Sequence, residues 1–328
     1  DSERRVLIVA MGALTGLTCL ALVYILVYPG TSLLHYRSAE AEISDPTLIK
    51  APARSPLDTA LYDAKMLEMA NYHALVSTST PATSTPRAWP AEAPYPKAGA
   101  ILPFKRIVAY YGNFYSKGMG VLGEYPHDVV LDKLRAEVTR WEASDPSTPV
   151  MPAIEYIDVT AQESAGKDGK YRLRMPDDQI DHALDMAREV NGIVILDIQV
   201  GLSTLQHELP LLEKYFAMPE VHLAIDPEFS MKTGKRPGTV IGTFDAADIN
   251  YAAEYLARLV REHDLPPKIL VVHRFTQPMV TNYKQIKPLP EVQIVMDMDG
   301  WGPPAKKIGT YTHFIIPEPV QFTGFKIF

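Results

Sequence analysis

The sequence contains a single cysteine, Cys19, among its 328 residues. One thiol forms no disulfide within the chain, and it cannot build a metal site that needs several cysteine ligands. The sequence also lacks an excess of positive charge, because 39 acidic residues outnumber 32 basic ones. A formal net charge of −7 gives no electrostatic reason to bind nucleic acid, so we expect no nucleic-acid partner.

Glycine is sparse, at 19 residues, whereas proline is abundant, at 28. The excess of proline over glycine therefore makes the chain stiffer, not more flexible. With 47% hydrophobic and 22% charged residues, the composition excludes wholesale disorder. The length fits one domain of up to about 250 residues or two smaller domains.

A segment from Val6 to Tyr28 has no charged side chain. A run of this length can cross the hydrocarbon core of a bilayer as a helix. Arg4 and Arg5 precede it, so the positive-inside rule places the N-terminus in the cytoplasm and the rest of the chain outside. A cleavable signal peptide is the alternative, but its apolar region is normally shorter. We therefore expect residues 1–30 to anchor the protein in the inner (cytoplasmic) membrane by a single transmembrane helix, with a periplasmic main domain.

Residues 31–98 contain no glycine and eight prolines. This composition predicts an extended extracytoplasmic stalk, which we assign to residues 31–104. Within it, Leu57 to Val76 has no proline and many helix-forming residues, so a short helix is expected. That helix either lies on the main domain or docks a partner.

Short apolar runs alternate with amphipathic segments over residues 105–328. The strongest amphipathic segment runs from Asp245 to His263. Repeated β-α units of this kind form a parallel sheet. Their number favours an α/β TIM-barrel-like (β/α)8 domain that is irregular near the C-terminus, with an open doubly wound sheet as the alternative. The predicted strands are Arg106–Tyr111, Val150–Tyr156, Gly192–Ile198, Val221–Ile225, Lys268–His273, Val292–Asp297 and Thr312–Ile316.

Polar side chains follow most of these predicted strands, at the end where barrel enzymes place their active sites. Residues two apart on a strand point to the same side, and two carboxylates that flank a glycosidic bond can hydrolyse it. A buried ion network is the structural alternative. We assign as candidate catalytic residues Asp226, Glu228, Asp297 and Glu318, and as candidate ligand-binding residues Asn113, Glu155, Asp197, Gln199, His273, Arg274, Asp299 and Trp301.

No cofactor is expected. Gly118 to Gly123 matches G-x-G-x-x-G by letters, but four residues separate it from the next helix and Glu124 repels phosphate. Carboxylates suit Mg²⁺ or Ca²⁺, yet no ligand spacing commits to a metal. His273 is expected to be a hydrogen-bonded barrel residue and not a zinc ligand.

Four short segments carry a resemblance to known proteins, and they are Ala109–Asn113, Gly120–Glu124, Leu223–Phe229 and Val260–Pro266. Together they resemble a group of secreted or membrane-anchored bacterial proteins with a glycoside-hydrolase-like barrel. Asp226 and Glu228 are also similar to the D-x-E end of the strand-four motif of family-18 chitinases and family-25 lysozymes. Where the chitinase motif has two earlier acidic residues, this sequence has Val221 and Ala224.

The predicted span, stalk and outer domain resemble accessory subunits of bacterial photosynthetic reaction-centre and antenna complexes. This resemblance implies an accessory or scaffolding subunit that contacts other membrane proteins through all three parts. A glycoside-hydrolase-like envelope enzyme acting on peptidoglycan or exopolysaccharide is the alternative, with Glu228 as general acid, Asp226 tuning it, and Asp297 or Glu318 as second carboxylate. A barrel that binds sugars without cleaving them is a third hypothesis. Its aromatic platforms would come from Tyr111, Tyr115, Tyr156 and Trp301.

Overall fold

The structure is a computed structural model, which describes residues 54–70 and 88–327. The predicted transmembrane helix and most of the predicted stalk lie outside the described residues. Among the residues that are described, no helix has the length and apolar character needed to span a bilayer.

The described residues form ten strands, and seven of them build one parallel sheet. The strands are β1 (Arg106–Gly112), β2 (Val150–Ala161), β3 (Arg172–Arg174), β4 (Ile193–Ile198), β5 (Val221–Ile225), β6 (Phe244–Asp245), β7 (Lys268–Arg274), β8 (Val280–Thr281), β9 (Val292–Met298) and β10 (Phe322–Phe325). The parallel order is β1-β2-β4-β5-β7-β9-β10, which follows the chain. Strand β3 pairs antiparallel with the end of β2, and β6 pairs with β8.

Helices connect most of the parallel strands. They are α1 (Thr59–Met69), α2 (Val121–Glu124), α3 (His127–Ser144), α4 (Asp177–Glu189), α5 (Leu205–Glu208), α6 (Glu213–Phe216), α7 (Ala246–Glu262) and α8 (Pro304–Thr310). The predicted helix from Asp245 to His263 is confirmed as α7, with these two residues as its caps. Asp245 and Asp248 form a capping box at its start, which satisfies backbone N–H groups that would otherwise be unpaired.

The sheet winds in one direction and curls. A doubly wound sheet reverses its strand order at a switch point, whereas here each crossover steps to the next strand in the same direction. Strands β2 and β7 are three spacings apart, which is about 14 Å in a flat sheet. Yet Glu155 Oε1 on β2 lies 3.2 Å from His273 Nε2 on β7. The predicted α/β fold with a parallel sheet is therefore confirmed, and the curl is compatible with a TIM-like domain.

Each face of the sheet has its own hydrophobic core. The concave face carries small and branched side chains, among them Ala153, Ala224 and Val271. The convex face packs against the helices through a larger cluster that includes Leu256 of α7 and Val272 of β7. Val271 and Val272 are neighbours on opposite faces, so the alternation along a strand separates the two cores.

The first and last strands of the sheet meet through side chains. No backbone ladder joins β1 to β10 in the described residues. The ammonium of Lys326, just after β10, lies 3.5 Å from the ring centroid of Tyr111 on β1. The Lys326 N–H donates to the Met298 carbonyl at 2.9 Å, which fixes this segment beside β9.

Six of the seven predicted strands are confirmed, but the strand predicted at Thr312–Ile316 is wrong. There α8 continues into a π-helical turn, Tyr311–Ile315, and the last strand of the sheet is β10. A parallel connection from β9 to β10 needs a crossover element, and these residues supply it. The turn is held by the buried Ile315 and by the Tyr311 hydroxyl, 2.8 Å from Thr323 Oγ1. This tertiary packing overrides the preference of the β-branched residues in Thr312–Ile316 for a strand.

Parts of the predicted stalk contact the barrel-like domain. Tyr62 of α1 is buried at 6% exposure, with its ring 6.1 Å from that of Phe104. The backbone N–H groups of Ile101 and Leu102 donate to Gln293 Oε1 on β9 at 3.0 and 3.1 Å. The helix expected in the stalk is therefore α1, and it lies on the main domain.

Candidate active site

Six carboxylates gather at the carboxyl end of the parallel strands. We call them the acidic cluster, and they are Glu155, Asp197, Asp226, Glu228, Asp297 and Asp299. Asp197 and Asp297 lie near the ends of β4 and β9, Asp226, Glu228 and Asp299 follow strand ends within three residues, and Glu155 lies mid-way along the long strand β2. The alternation of side chains along β2, β4 and β9 places them there, as the i, i+2 spacing predicts.

His273 occupies the centre of the acidic cluster, with its side chain 1% exposed. Its Nε2 lies 3.2 Å from Glu155 Oε1 and 4.0 Å from Asp197 Oδ2. On the other side of the ring, Nδ1 lies 3.2 Å from Asp297 Oδ2 and 3.6 Å from Asp299 Oδ2. The imidazole thus bridges carboxylates from β2 and β4 with carboxylates at the end of β9.

Asp226 and Glu228 lie in the tight turn that follows strand β5. Asp226 Oδ1 accepts the Glu228 N–H at 3.0 Å and so caps the 3-10 turn Pro227–Phe229. The Gln199 side chain donates to Asp226 Oδ2 at 3.4 Å, and its own oxygen accepts the Ala161 N–H. These contacts fix the buried Asp226, while Glu228 remains partly exposed.

Lys326 and Tyr111 complete the wall of the site. Lys326 Nζ forms an ion pair with Asp299 Oδ1 at 2.6 Å and lies over the Tyr111 ring. The Tyr111 hydroxyl donates to Asp197 Oδ2 at 3.1 Å. The strand edges of the sheet are therefore joined by the same side chains that surround His273.

Charge in this site is unbalanced. Six carboxylates face two cationic side chains, His273 and Lys326. Asp197 is fully buried, and its Oδ1 has no hydrogen-bonding partner in the described part of the chain. Buried charges that lack partners are costly, so the site must take up protons or a positively charged ligand.

Burial raises the pKa of three carboxyl groups in the cluster. The pKa of Asp197 rises to about 6 through burial, although His273 opposes the rise. Burial, with the charge of Asp197, raises the pKa of Asp226 well above its ordinary value. The pKa of Glu228 is raised by burial and then by Asp299. Asp226 and Glu228 are therefore suited to hold a proton where an isolated carboxyl group has lost it.

The two cations keep their protons for the opposite reason. Burial alone lowers the pKa of His273, but the surrounding carboxylates, Asp299 first, outweigh it and leave that pKa well above its ordinary value. Burial likewise acts against Lys326, and Asp299 reverses the effect, so the Lys326 pKa is raised. Burial and the charge of Asp197 raise the pKa of the Tyr111 hydroxyl, which stays a hydrogen-bond donor.

Three of the candidate residues make their polar contacts away from the acidic cluster. Glu318 pairs with the buried Arg274 at 2.6 Å, and Arg274 also donates to the carbonyls of Thr276 and Gln277. Asn113 uses its side chain within the chain itself, donating to the Ile157 carbonyl and accepting the Tyr115 N–H. Arg274, Glu318 and Asn113 therefore stabilise the loops around the site.

The four aromatic candidates fall into three groups. Tyr156 is fully buried in the convex core, where its ring stacks on Phe114 at 4.7 Å, so it is not a sugar platform. Tyr111 lines the site. Tyr115 and Trp301 are 65% and 76% exposed, on the loops that follow β1 and β9. Both loops are at the strand ends that carry the acidic cluster.

Two site residues were not predicted from the sequence. Lys326 and Gly324 lie on or just after β10, the strand that the sequence prediction missed. A side chain at position 324 would collide with Asp297, because a Cβ there would lie 2.4 Å from Asp297 Oδ1. The signal was a lysine two residues after a glycine in a short apolar run at the C-terminus.

No family model matches the chain, and no curated protein matches its sequence significantly. The function must therefore be argued from the geometry of the site.

Proposed function

We propose that the barrel-like domain hydrolyses glycosidic bonds in a polysaccharide, with Glu228 as the proton donor. One observation supports this most directly. Glu228 is a partly exposed carboxyl group with a raised pKa, beside other carboxylates at the strand ends of a curled parallel sheet. Glycoside hydrolysis needs one carboxyl group that holds a proton and a second that stays ionised.

The second carboxylate in this proposal is Asp297. Its side chain is 14% exposed, and its Oδ2 faces the protonated ring of His273. Glu228 gives its proton to the leaving oxygen as the C–O bond breaks, and the charge of Asp297 stabilises the positive charge that develops on the sugar. A water molecule then bonds to that sugar carbon and gives its proton to the Glu228 carboxylate, which restores the acid. Asp226 fixes the backbone of Glu228 through the 3.0 Å hydrogen bond. Glu318, the other candidate, is paired with Arg274 instead.

Two further features favour a sugar as the ligand. The exposed rings of Tyr115 and Trp301 flank the strand ends, and aromatic faces pack well against sugar rings. The predicted periplasmic location would bring the domain to peptidoglycan or exopolysaccharide. We interpret the seven-stranded sheet as a TIM-barrel-like domain of the (β/α)8 type with one strand fewer.

The test is release of reducing ends from purified peptidoglycan and from a panel of neutral and acidic exopolysaccharides. We expect Glu228→Gln to lower kcat by about 10³-fold or more, because the proton donor is lost. Glu254→Gln, on the exposed face of α7, is the matched control and keeps the wild-type rate. The proposal fails if the wild-type protein cleaves none of these substrates, or if Glu228→Gln is as active as the control.

A further inference from the structure

Three ligand-type atoms converge in the acidic cluster. His273 Nδ1, Asp297 and Asp299 each offer one atom, and no two of these atoms are more than 4.8 Å apart. The two distances from Nδ1 are 3.2 Å to Asp297 Oδ2 and 3.6 Å to Asp299 Oδ2. Ligands that lie 2.0–2.2 Å from a tetrahedral Zn²⁺ are about 3.4 Å from one another. The two distances from Nδ1 therefore match those between ligands of a metal site.

Both carboxylates are oriented so that their Oδ2 atoms face His273. Asp299 Oδ1 is held by Lys326 at 2.6 Å, so the lysine neutralises one oxygen and leaves the other available. Asp297 Oδ1 lies against Gly324, where no side chain competes for the space. The Oδ1 atoms of the two aspartates thus lie against Lys326 and Gly324, and their Oδ2 atoms converge on His273 Nδ1.

The far side of the His273 ring supports the same arrangement. Nε2 lies 3.2 Å from Glu155 Oε1 and 4.0 Å from Asp197 Oδ2. A histidine that binds a metal through one nitrogen commonly presents the other to a carboxylate, which fixes the ring and strengthens the ligand. Asp197 is 0% exposed and its Oδ1 is unpartnered in the described residues, so buried carboxylates surround this side of the ring.

We propose that His273 Nδ1, Asp297 Oδ2 and Asp299 Oδ2 bind one divalent transition-metal ion, with Zn²⁺ the best match. One nitrogen and two carboxylate oxygens suit Zn²⁺ or Mn²⁺ better than Ca²⁺ or Mg²⁺, which prefer oxygen ligands alone. Three protein ligands leave a position open for a water molecule or a substrate oxygen. The ion takes the place of the proton on Nδ1. This proposal does not depend on glycoside hydrolysis, and because the ion occupies Asp297 Oδ2 and His273 Nδ1, the hydrolysis proposed above belongs to the metal-free form of the site.

The experiment uses the full chain, stripped of metal by a chelator and dialysed against Zn²⁺, with Mn²⁺ and Ca²⁺ as comparison ions. We expect one Zn²⁺ per chain, and Ca²⁺ binding at least 100-fold weaker. Asp297→Asn and Asp299→Asn should each weaken Zn²⁺ binding by 10–100-fold or more. Asp132→Asn, on the exposed surface of α3, is the matched control and binds as the wild type does.

Gly324→Ala provides a variant that leaves all three ligands in the sequence. Its Cβ would displace Asp297, whose Oδ1 lies 2.4 Å from that position, so Zn²⁺ binding should weaken while circular dichroism shows an intact fold. Glu228→Gln should bind Zn²⁺ normally even where it abolishes hydrolysis, so the two proposals fail separately. The metal proposal is overturned if wild type binds no Zn²⁺ near one per chain. It is also overturned if binding survives both aspartate substitutions, as it would for an ion at the surface pair His127 and Glu189.

Discussion

Asp158 shows how strongly the surroundings of a single carboxyl group decide its state. It lies on β2 where the pairing with β4 shifts register, it is 0% exposed, and neither oxygen has a hydrogen-bonding partner in the described residues. Burial raises its pKa to about 7, with Asp177 and Glu208 adding to the rise and Arg174 opposing it. In the described residues no histidine or lysine pairs with the Asp158 carboxyl group, unlike the acidic cluster. Its burial therefore favours the protonated, neutral form.

We predict that Asp158→Asn removes a pH-dependent loss of stability. The folded pKa of about 7 lies above the ordinary aspartate value of 3.8, so the folded state binds the proton more tightly than the unfolded state does. This contribution to stability is complete below about pH 4 and is lost as the pH rises through 7. The wild type should lose on the order of 3 kcal/mol relative to Asp158→Asn between pH 4 and pH 8. Urea unfolding at both pH values measures the difference.

Other buried groups titrate in the same range, among them Asp197, whose pKa burial raises to about 6, and Lys268; both are present in the two proteins compared. Burial lowers the pKa of Lys268 to about 7, which acts with the opposite sign, because a neutral lysine is favoured in the fold. Both proteins contain Lys268, so its effect cancels in the comparison of wild type with Asp158→Asn. Parallel pH profiles for the two proteins would contradict the prediction.

At the scale of elements, α1 is the piece of the predicted stalk whose contacts are clearest. Tyr62 packs against the rings of Tyr95 and Phe104, at centroid distances of 5.6 and 6.1 Å. Lys65 Nζ donates to the Ser147 carbonyl at 3.2 Å, which links α1 to the loop before β2. The helix starts at Asp58, whose side chain accepts the Leu61 N–H at 2.9 Å.

We predict that Tyr62→Ala lowers the free energy of unfolding of the domain by about 2 kcal/mol, because it removes a buried ring. Leu61→Ala, at 48% exposure on the same helix, should change it by less than about 0.5 kcal/mol. Denaturant unfolding of the full chain gives both values. If the two variants were equally stable, α1 would not be held by the packing of Tyr62.

The accuracy of the sequence prediction also differs between elements. Six parallel strands were predictable, because a strand covered on both faces is a near-continuous apolar run, as in Val221–Ile225. The seventh, Phe322–Phe325, contains Gly324, which is unfavourable in a strand, and the β-branched residues before it form a π-helical turn. Both the position of Glu318 and the role of Lys326 followed from that strand, so both were missed.

The acidic cluster itself was predictable from spacing, because residues two apart on strands of one parallel sheet share a face. The pairing of particular atoms was not. That Nδ1 of His273 faces Asp297 while Nε2 faces Glu155 depends on the curl of the sheet, which brings β2 and β7 together. No local pattern in the sequence encodes that distance.

At the scale of the whole molecule, the described residues from 54 onward form one compact unit. The contacts of Tyr62 with Phe104 and of Ile101 with Gln293 lie within this unit. The barrel-like domain therefore includes stalk residues and starts earlier than residue 105.

We predict that deletion of residues 1–53 leaves the unfolding transition of the domain unchanged, with a Tm within about 2 °C of the full chain. Deletion of residues 31–98 should instead lower the Tm by about 5 °C or more, because it removes α1 and the segment that bears Trp89, whose ring N–H donates to the Ile316 carbonyl. Thermal unfolding followed by circular dichroism checks both. Equal effects of the two deletions would show that residues 54–98 add nothing to the domain.

Deletion of residues 1–53 also distinguishes the accessory-subunit hypothesis from the membrane-anchored enzyme hypothesis. Residues 6–28 are uncharged and follow Arg4 and Arg5, so we predict that the full chain stays in the membrane fraction after alkaline extraction and that the 1–53 deletion does not.

An accessory subunit would also co-purify in a fixed ratio with other membrane proteins, through contacts that the deletion removes. A glycan hydrolase would act without them, because the acidic cluster lies wholly within residues 155–299. Hydrolysis by the deleted protein at the full-chain rate, with no fixed partner in the detergent extract, would therefore exclude the accessory role. A fixed partner with no hydrolysis by either form would exclude the enzyme.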